Sequence, residues 1–182
     1  MVQREPGKTF LAVAELIACL KSGKVQKGII SRPTVEAGKP IGYLPGGIKE
    51  KLDPFVRPIY DNMEYFLGPE QTKSLINDGI IEIVPFQFLR GRTFSDSFII
   101  LDETQNATRE QLKLALTRIG FGSKCVVTYD EAQCDIKRET SCIIDIPKFD
   151  LQEDIGYYRF DKKDIVRSPI VRRVLDIYDD LD

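Results

Sequence analysis

The chain has 182 residues, 42% of them hydrophobic, which suits one domain with a sizeable core and leaves too little for two comfortable ones. A net charge of −2 excludes a global basic field, so any contact with nucleic acid has to be local. The absence of histidine excludes every histidine-based mechanism and any zinc site built from cysteine and histidine.

Cysteine usage and hydropathy indicate the environment of the protein. The cysteines show no C-x-x-C spacing, and we expect a reduced, cytoplasmic protein in which they are buried or incidental thiols, with a redox or metal role as the alternative (Cys19, Cys125, Cys134 and Cys142). The sequence has no run of about 20 apolar residues and no secretory leader, so we expect no membrane contact.

The first part of the chain predicts a helix, a strand and a long loop. Apolar residues at helical spacing predict a helix over residues 9–20, ended by Ser22-Gly23. Gly28-Ile29-Ile30 predicts a short strand. Residues 32–47 are rich in glycine and proline, and a loop of this length in a compact domain is typical of a functional segment.

Two further helices are predicted next. Residues 48–66 have a helical pattern, with a break or kink expected at Pro54 and Pro58. Pro69 is suited to the first turn of another short helix, which Gly79 closes.

The middle of the chain predicts two buried strands around a capped helix. The strands are residues 80–84 and 124–128. Thr108 and Gln111 form a capping box for a helix that runs to Ile119. The residues expected to face the core from this helix are Leu112, Ala115, Leu116 and Ile119.

The last part of the chain is less regular. Residues 130–154 are polar and predict no regular element, and residues 157–160 predict a last strand. Ser168-Pro169 predicts the start of a closing helix, with an apolar stripe of Ile170, Val171, Val174, Leu175 and Tyr178. Because strands alternate with helices, the sequence predicts a layered α/β fold with a parallel sheet.

Residues 98–106, FIILDETQN, contain a short apolar run that ends in Asp102 and Glu103. Such a run predicts a strand buried on both faces of a parallel sheet, whose carboxyl end is where open α/β sheets bind ligands. The same pattern also occurs where a strand simply enters a polar loop, so the pair alone leaves both interpretations open. Gly7-Lys8-Thr9, the tail of a phosphate-binding loop, favours a nucleoside-triphosphate site.

The motifs and their order resemble the PhoH-like family of P-loop ATPases, which have a RecA-like or helicase-like core. The resemblance implies a three-layer α/β P-loop NTPase with a mostly parallel sheet, one domain over residues 1–182, and Mg²⁺-dependent binding and hydrolysis of ATP. Matching segments cover nearly the whole chain: GKTFLAVA at residues 7–14, SRPTVEAG at 31–38, GYLPGGIKEKLDPFVRPIYD at 42–61, FLRGRTF at 88–94, FIILDETQN at 98–106, TRIGFGSKCVVTYD at 117–130 and VRSPIVRRVLDIY at 166–178.

The resemblance implies roles for individual residues. Lys8 would reach the β- and γ-phosphates, Thr9 and Asp102 would hold Mg²⁺, and Glu103 would activate the attacking water. Gln105 either senses the γ-phosphate or caps the following helix. The resemblance further implies nucleotide-binding positions at the end of the next strand, where Thr128 and Asp130 lie. The full set would be Gly7, Lys8, Thr9, Gln105, Thr128 and Gln133.

Three arginines each allow more than one interpretation. Arg167 resembles an arginine that one subunit supplies to its neighbour's phosphate, and its other interpretation is a solvated residue before a helix. Arg90 and Arg92 would contact phosphates, nucleic acid or a neighbouring molecule, or simply lie in a solvated loop. Family members often form rings of identical subunits, are linked to phosphate starvation and RNA metabolism, and are frequent in phage genomes.

The phosphate loop departs from the family pattern. The consensus glycine five residues before Gly7 is replaced by Val2. Pro6 removes an amide donor from the anion cradle, and Glu5 places a negative charge near the phosphates. Tyr129 stands where the family usually has glycine, and the strand that feeds the loop is expected to be missing, leaving a gap in the sheet.

These departures keep three functions open. The first is an ATPase of the PhoH-like type, supported by Lys8, Thr9, Asp102 and Glu103. The second is a non-hydrolytic binding or assembly module derived from an ATPase, suggested by the altered loop. The third is an RNA-associated helicase-like protein, which the acidic pI of about 5.4 disfavours.

Overall fold

The fold is described from a computed structural model, which places residues 7–33, 35–36, 39–40, 48–151 and 154–160. The helices are α1 (Lys8–Lys21), α2 (Ile48–Leu67), α3 (Pro69–Asn77) and α4 (Arg109–Leu116). The strands are β1 (Lys27–Arg32), β2 (Val35–Glu36), β3 (Lys39–Pro40), β4 (Ile81–Pro85), β5 (Ser97–Leu101) and β6 (Lys124–Val127). Short 3₁₀ segments follow β4, β5 and β6, and others span Cys142–Ile144 and Ile146–Leu151.

Four strands form an all-parallel sheet in the order β4-β1-β5-β6, so the predicted α/β class is confirmed. β2 and β3 form a separate antiparallel pair within the segment predicted as a loop. The four strands of the main sheet are hydrogen-bonded in unbroken order, and the expected gap does not occur among these described strands.

The two central strands bury both of their faces, which explains their continuous apolar runs. Because successive side chains point to opposite faces of a strand, Ile30 and Ile100 contact the helices α1, α2 and α3. Ile29 and Ile99 instead belong to a second core that α4 and the 3₁₀ segments cover. The result is a layer of helices, a sheet, and a second layer on the opposite face.

Helix α1 packs tightly on the sheet through its apolar stripe. The Leu16 side chain is fully buried, and a Cβ added at Gly28 of β1 would lie 2.7 Å from its Cδ1. Glycine therefore lets the helix approach β1 closely. Burial of a leucine side chain of this kind stabilises the fold by about 1.5–3 kcal/mol.

Several local predictions are confirmed. α3 begins at Pro69, and Gly79 beyond its end has a φ of +67° that favours glycine. The capping box is present, because the Thr108 side chain accepts from the Gln111 N–H and the Gln111 side chain accepts from the Thr108 N–H.

Other local predictions differ from the structure. The expected break in α2 does not occur, because the helix is continuous through Pro54 and Pro58. Its apolar side is anchored by Ile59 and Met63, which are fully buried four residues apart, and this burial offsets the hydrogen bonds that proline removes. α4 ends at Leu116, so Ile119 lies beyond it and is 36% exposed.

Two predicted strands also differ from the structure. β6 is a half-buried strand at one edge of the described sheet, because only β5 pairs with it. Residues 157–160 are not a strand: three of the four side chains are exposed, so no apolar face is available to pair. The predicted closing helix at Ser168-Pro169 lies outside the described residues.

Candidate nucleotide-binding site

The predicted site residues meet at the carboxyl edge of the sheet. β5 ends at Leu101 and is followed by Asp102, and β6 ends at Val127 and is followed by Thr128. The ladder continues past the strand ends, because the Thr128 N–H donates to the Leu101 carbonyl at 2.9 Å. α1 begins at the same edge, since the Thr9 hydroxyl donates to Asp102 at 2.7 Å.

The start of α1 is suited to an anion. Its N-cap residue, Gly7, has no side chain to accept from the amides of the first turn, and no acidic residue lies in that turn. These amides carry the positive end of the helix dipole, and the Gly7 N-cap provides no side-chain acceptor for them. A helix start of this kind is a common phosphate-binding element.

Asp102 is the buried carboxylate of the pair, with no exposed surface. Its Oδ1 accepts from the hydroxyls of Thr9 at 2.7 Å and Thr128 at 2.5 Å. Arg32 Nε lies 3.0 Å from its Oδ2, yet no described group donates a well-aligned hydrogen bond to that oxygen. The arginine therefore supplies charge, while the oxygen keeps a lone pair for a further ligand.

Glu103 is held differently. Its backbone adopts the left-handed conformation, with φ 55° and ψ 39°, which is uncommon outside glycine. Its Oε2 accepts from Gln105 Nε2 at 2.5 Å, and its Oε1 lies 3.3 Å from Arg32 Nη2. The side chain is 34% exposed, so this carboxylate faces the cleft while Asp102 faces the interior.

Gln105 connects the acidic pair to the segment after β6. It is fully buried, and its amide oxygen accepts from the Asp130 N–H at 2.9 Å. Its amide nitrogen also donates to the Gln133 carbonyl at 3.2 Å. Gln105 does not cap α4, because Thr108 is the N-cap residue of that helix, so the capping alternative is wrong.

Lys8 extends to the end of β6. Its Nζ donates to the Tyr129 carbonyl at 2.8 Å and to Asp130 Oδ2 at 3.0 Å. Gln133 Nε2 approaches the same oxygen at 3.4 Å. Lys8 and Asp130 are about one-third exposed, so this ion pair is accessible and weakly held.

A pocket of about 190 Å³ lies between these groups. It is smaller than the sites that enclose drug-sized ligands, and its volume suits phosphate groups. Residues from three parts of the chain line it: Gly7, Lys8, Thr9, Glu103, Thr128, Tyr129, Asp130 and Gln133.

A larger, mostly apolar groove of about 430 Å³ lies away from these charges, between the ends of α1, α2 and α3. Its lining includes Ile17, Leu75 and Ile80 and contains no acidic side chain. The smaller pocket, in contrast, is lined by both acidic and basic side chains. The polar pocket is therefore the candidate functional site.

The residues present fit a magnesium ion held together with phosphates. Mg²⁺ prefers oxygen ligands and commonly uses one or two protein oxygens, with phosphates and waters completing its shell. Thr9 supplies a hydroxyl and Asp102 a buried carboxylate oxygen that lacks a well-aligned donor. Within the described residues no cluster of three acidic, cysteine or histidine side chains forms a separate metal site.

Tyr129 is tied to a later part of the chain. Its hydroxyl lies 2.6 Å from that of Tyr157, which shows how residues 154–160 contact the site edge. Burial, followed by the Tyr157 hydroxyl, raises the pKa of the Tyr129 phenol well above its ordinary value. The larger side chain is accommodated because it packs against the second core, while the Tyr129 carbonyl accepts from Lys8.

The predicted arginines have different outcomes. Arg92 forms a bidentate ion pair with Glu82 at 2.6 and 2.5 Å, and its guanidinium lies 4.6 Å from the centre of the Phe94 ring. The Arg92 hydrogen bonds hold the pKa of the Glu82 carboxyl below its usual range, and they outweigh burial, which acts in the opposite direction. Arg92 thus has a structural partner, whereas Arg90 is exposed. Arg167 and residues 2–6 lie outside the described residues.

Sequence reasoning missed Arg32. It lies at the end of β1, and its contacts with Asp102 and Glu103 depend on which strand pairs with β5. The sequence placed Arg32 at the start of the predicted loop over residues 32–47, inside the segment SRPTVEAG, and no local signal marked it as a site residue.

The domain is of the P-loop NTPase-like type. It combines a parallel sheet, a helix N-terminus suited to phosphate, and a threonine hydrogen-bonded to an acidic residue. The family model for PhoH-like protein matches residues 5–179 of this chain. The chain therefore belongs to the PhoH-like family, whose members are generally ATP-binding proteins of the P-loop type.

Curated relatives agree with this assignment. The chain is 44% identical over 175 residues to the PhoH-like protein of Bacillus subtilis (strain 168), covering 95% of this chain and 55% of the relative. It is 40% identical over 175 residues to the PhoH-like protein of Synechocystis sp., covering 95% and 53%. Protein PhoH of Escherichia coli (strain K12) is 39% identical over 176 residues, covering 94% and 50%. The chain thus spans about half the length of these relatives.

None of the helices that the structure describes combines the length and apolar character needed to cross a bilayer.

Proposed function

We propose that this chain binds a magnesium-complexed nucleoside triphosphate and hydrolyses ATP. The observation that carries the proposal is the 2.7 Å contact between Thr9, at the start of α1, and the buried Asp102. Thr9 and Asp102 are 93 residues apart in the chain, so this contact brings the N-terminus of α1 next to the acidic pair.

The residues have separate tasks in the proposed reaction. The first-turn amides of α1 and Lys8 bind the phosphates, and Lys8 exchanges its contact with Asp130 for the β- and γ-phosphates. Thr9 and Asp102 hold Mg²⁺, which neutralises charge on the phosphates when bound. Glu103, in the cleft beside them, orients and deprotonates the attacking water.

Binding is tested by isothermal titration with Mg-ATP and a non-hydrolysable analogue. We expect Lys8→Met to weaken binding at least about tenfold, since it removes a charge-assisted contact with phosphate. Lys113→Met on the exposed side of α4 removes the same charge away from the site and is the matched control. Equal affinities of wild type and Lys8→Met would contradict the proposed binding site.

Hydrolysis is tested by phosphate release. We expect Glu103→Gln to lower kcat by about 100-fold or more while ATP still binds, because the amide cannot accept the proton of water. Glu110→Gln, in the first turn of α4, is the matched control. Tight binding by wild type without phosphate release would instead support a non-hydrolytic module.

Assembly into a ring of identical subunits, with Arg167 reaching a neighbour's phosphate, is part of the proposal that rests on family resemblance. The same holds for work on RNA and for a role in phosphate starvation. Light scattering with and without Mg-ATP tests assembly. Recovery of phosphate release on mixing Arg167→Ala with Lys8→Met subunits tests the shared site.

A further inference from the structure

We propose that Arg32 is a positioning residue that fixes the carboxylate of Glu103 beside Asp102, and this inference rests on the proposed ATP hydrolysis. Arg32 is not required by the phosphate-loop or acidic motifs, and the structure places it between the two carboxylates. It acts through Glu103 and does not itself contact water or phosphate in this proposal.

Strand register explains why Arg32 reaches both groups. β1 and β5 are parallel neighbours in which Ser31 pairs with Leu101. The Asp102 N–H then donates to the Ser31 carbonyl at 2.8 Å, which continues the pairing beyond the strand. Arg32 and Asp102 are therefore the next residues on adjacent strands, and both are held by the backbone ladder.

The guanidinium uses two different nitrogens for the two carboxylates. Nε lies 3.0 Å from Asp102 Oδ2, and Nη2 lies 3.3 Å from Glu103 Oε1. The Arg32 side chain is only 18% exposed, so solvent competes weakly for these contacts. A planar guanidinium can face two anions at once, whereas a lysine ammonium is a single point charge.

Glu103 depends on this contact more than Asp102 does. Asp102 also has two hydroxyl donors and is enclosed by the protein. Glu103 is partly exposed, and its two oxygens are held separately by Arg32 and Gln105. Loss of the Arg32 contact would leave Glu103 held through one oxygen only, by Gln105, and its side chain would gain conformational freedom.

The decisive variant is Arg32→Lys, because it keeps a positive charge near buried Asp102 and removes the reach to Glu103. Full removal of the charge would leave Asp102 buried without its cation and risks unfolding. We expect kcat to fall by about 10- to 100-fold, since small misplacement of a reacting group has effects of this size. The Kd for Mg-ATP should stay within about threefold of wild type, because Arg32 does not bind phosphate.

Arg92→Lys is the matched control. It makes the same chemical change in another arginine that pairs with a carboxylate, Glu82. We expect it to leave kcat unchanged. A fall in kcat for Arg32→Lys that is matched by an equal loss of Mg-ATP affinity would contradict a positioning role.

The dependence on Glu103 is tested by combining variants. If Arg32 acts through Glu103, then Arg32→Lys should lower the residual rate of Glu103→Gln by less than about twofold. If the double variant instead loses rate by the product of the two single-variant factors, the proposal is overturned, because Arg32 would then act independently of Glu103.

A measurement without turnover separates this inference from the proposed hydrolysis. The thermal midpoints of wild type, Arg32→Lys, Glu103→Ala and the double variant form a cycle. If Arg32 holds Glu103, the double variant should lose less than the sum of the single losses. If the fall in thermal midpoint of the double variant equals the sum of the two single falls, Arg32 and Glu103 are not coupled and the proposal is contradicted. Absence of phosphate release from wild type would overturn the proposed function, while this cycle would still decide whether the two residues are coupled.

Discussion

At the scale of single residues, adjacent carboxylates occupy opposite environments. Asp102 continues the direction of β5 and remains buried, with hydroxyl donors on one oxygen. At Glu103 the backbone turns into the left-handed region, which directs the second carboxylate towards the cleft. Such a conformation costs about 1–3 kcal/mol in a residue other than glycine, and strain of this kind concentrates at functional sites. One turn thus separates a buried carboxylate from an accessible one.

The Thr128 hydroxyl provides a test of how the Asp102 carboxylate is held in place. It is buried and donates to Asp102 Oδ1 at 2.5 Å. We expect Thr128→Val to lower the free energy of unfolding by about 1–3 kcal/mol, because a buried carboxylate loses a charge-assisted donor while side-chain volume is kept. Urea unfolding measures this difference.

The matched control for this prediction is Thr117→Val at the end of α4. Its hydroxyl donates to the Leu114 carbonyl at 2.9 Å in an exposed setting. We expect a change within about 0.5 kcal/mol, as for other surface substitutions. Similar losses in both variants would mean that the Asp102 contact adds no stability of its own.

At the residue level, the sequence indicated which positions lie close together where the motifs are short and local. Lys8-Thr9 and Asp102-Glu103 are recognisable as short motifs, and the fold brings them together. Arg32 was missed because nothing in its neighbours shows that β1 lies beside β5. The contacts of Gln105 with Asp130 and Gln133 likewise depend on β6 being adjacent to β5.

At the scale of elements, the structure shows where local rules are overridden. The proline rule predicted a break or kink in α2; the helix continues without a break, and Pro58 is exposed. A proline on the solvent side leaves a carbonyl that water can satisfy, while Ile59 and Met63 remain fixed in the core. Packing of the apolar side therefore outweighs the lost hydrogen bonds.

The turn between α4 and β6 supplies a test at this scale. The Gly120 N–H donates to the Phe94 carbonyl at 2.7 Å, and a Cβ at this position would lie 2.8 Å from the same carbonyl oxygen. Backbone cannot yield as a flexible side chain can. We expect Gly120→Ala to destabilise the fold by about 1–3 kcal/mol, as overpacking does elsewhere.

Urea unfolding of Gly120→Ala should be compared with Gly156→Ala. A Cβ at Gly156 would meet nothing within 4 Å among the described residues. We therefore expect Gly156→Ala to change stability by less than about 0.5 kcal/mol. If Gly120→Ala is as stable as wild type, the close approach of this turn to Phe94 does not constrain the fold.

At the scale of the whole molecule, the two cores lie on opposite faces of the sheet. The candidate nucleotide-binding site lies at the carboxyl edge of the sheet, outside both cores. The alternation of Ile29 and Ile30 in β1, and of Ile99 and Ile100 in β5, connects the cores through single strands. The sequence allowed the prediction of parallel α/β layering, because buried strands and amphipathic helices have distinct periods. It did not reveal strand order, because pairing partners are chosen by packing between distant segments.

The 3₁₀ segments after residue 140 also escaped prediction, although they contribute to the second core. Cys142, Ile143 and Ile146 are buried in a stretch that appeared polar and irregular. Cys142 lies behind the acidic pair, where its Sγ donates to the Thr104 carbonyl at 3.0 Å. Isolated apolar residues in a polar segment show no period, so their burial could be recognised only from the fold.

Cys142 makes the stability of the molecule depend on alkaline pH. Burial raises the pKa of its thiol to about 11, whereas a cysteine in the unfolded chain has a pKa of about 8.5. The unfolded state therefore releases a proton that the folded state keeps, and stability is lost as pH rises from about 8.5 towards 11. We expect this one group to lower the free energy of unfolding by about 1–2 kcal/mol between pH 8 and pH 10.

The measurement is urea unfolding at several pH values under reducing conditions for wild type, Cys142→Ala and Ser141→Ala. Cys142→Ala should be less stable at pH 8, because it loses buried volume, but its stability should fall less steeply with pH. Ser141 is equally buried and does not titrate in this range, so Ser141→Ala should keep the wild-type slope. Parallel curves for all three proteins would show that Cys142 keeps the same proton affinity in the folded and unfolded states.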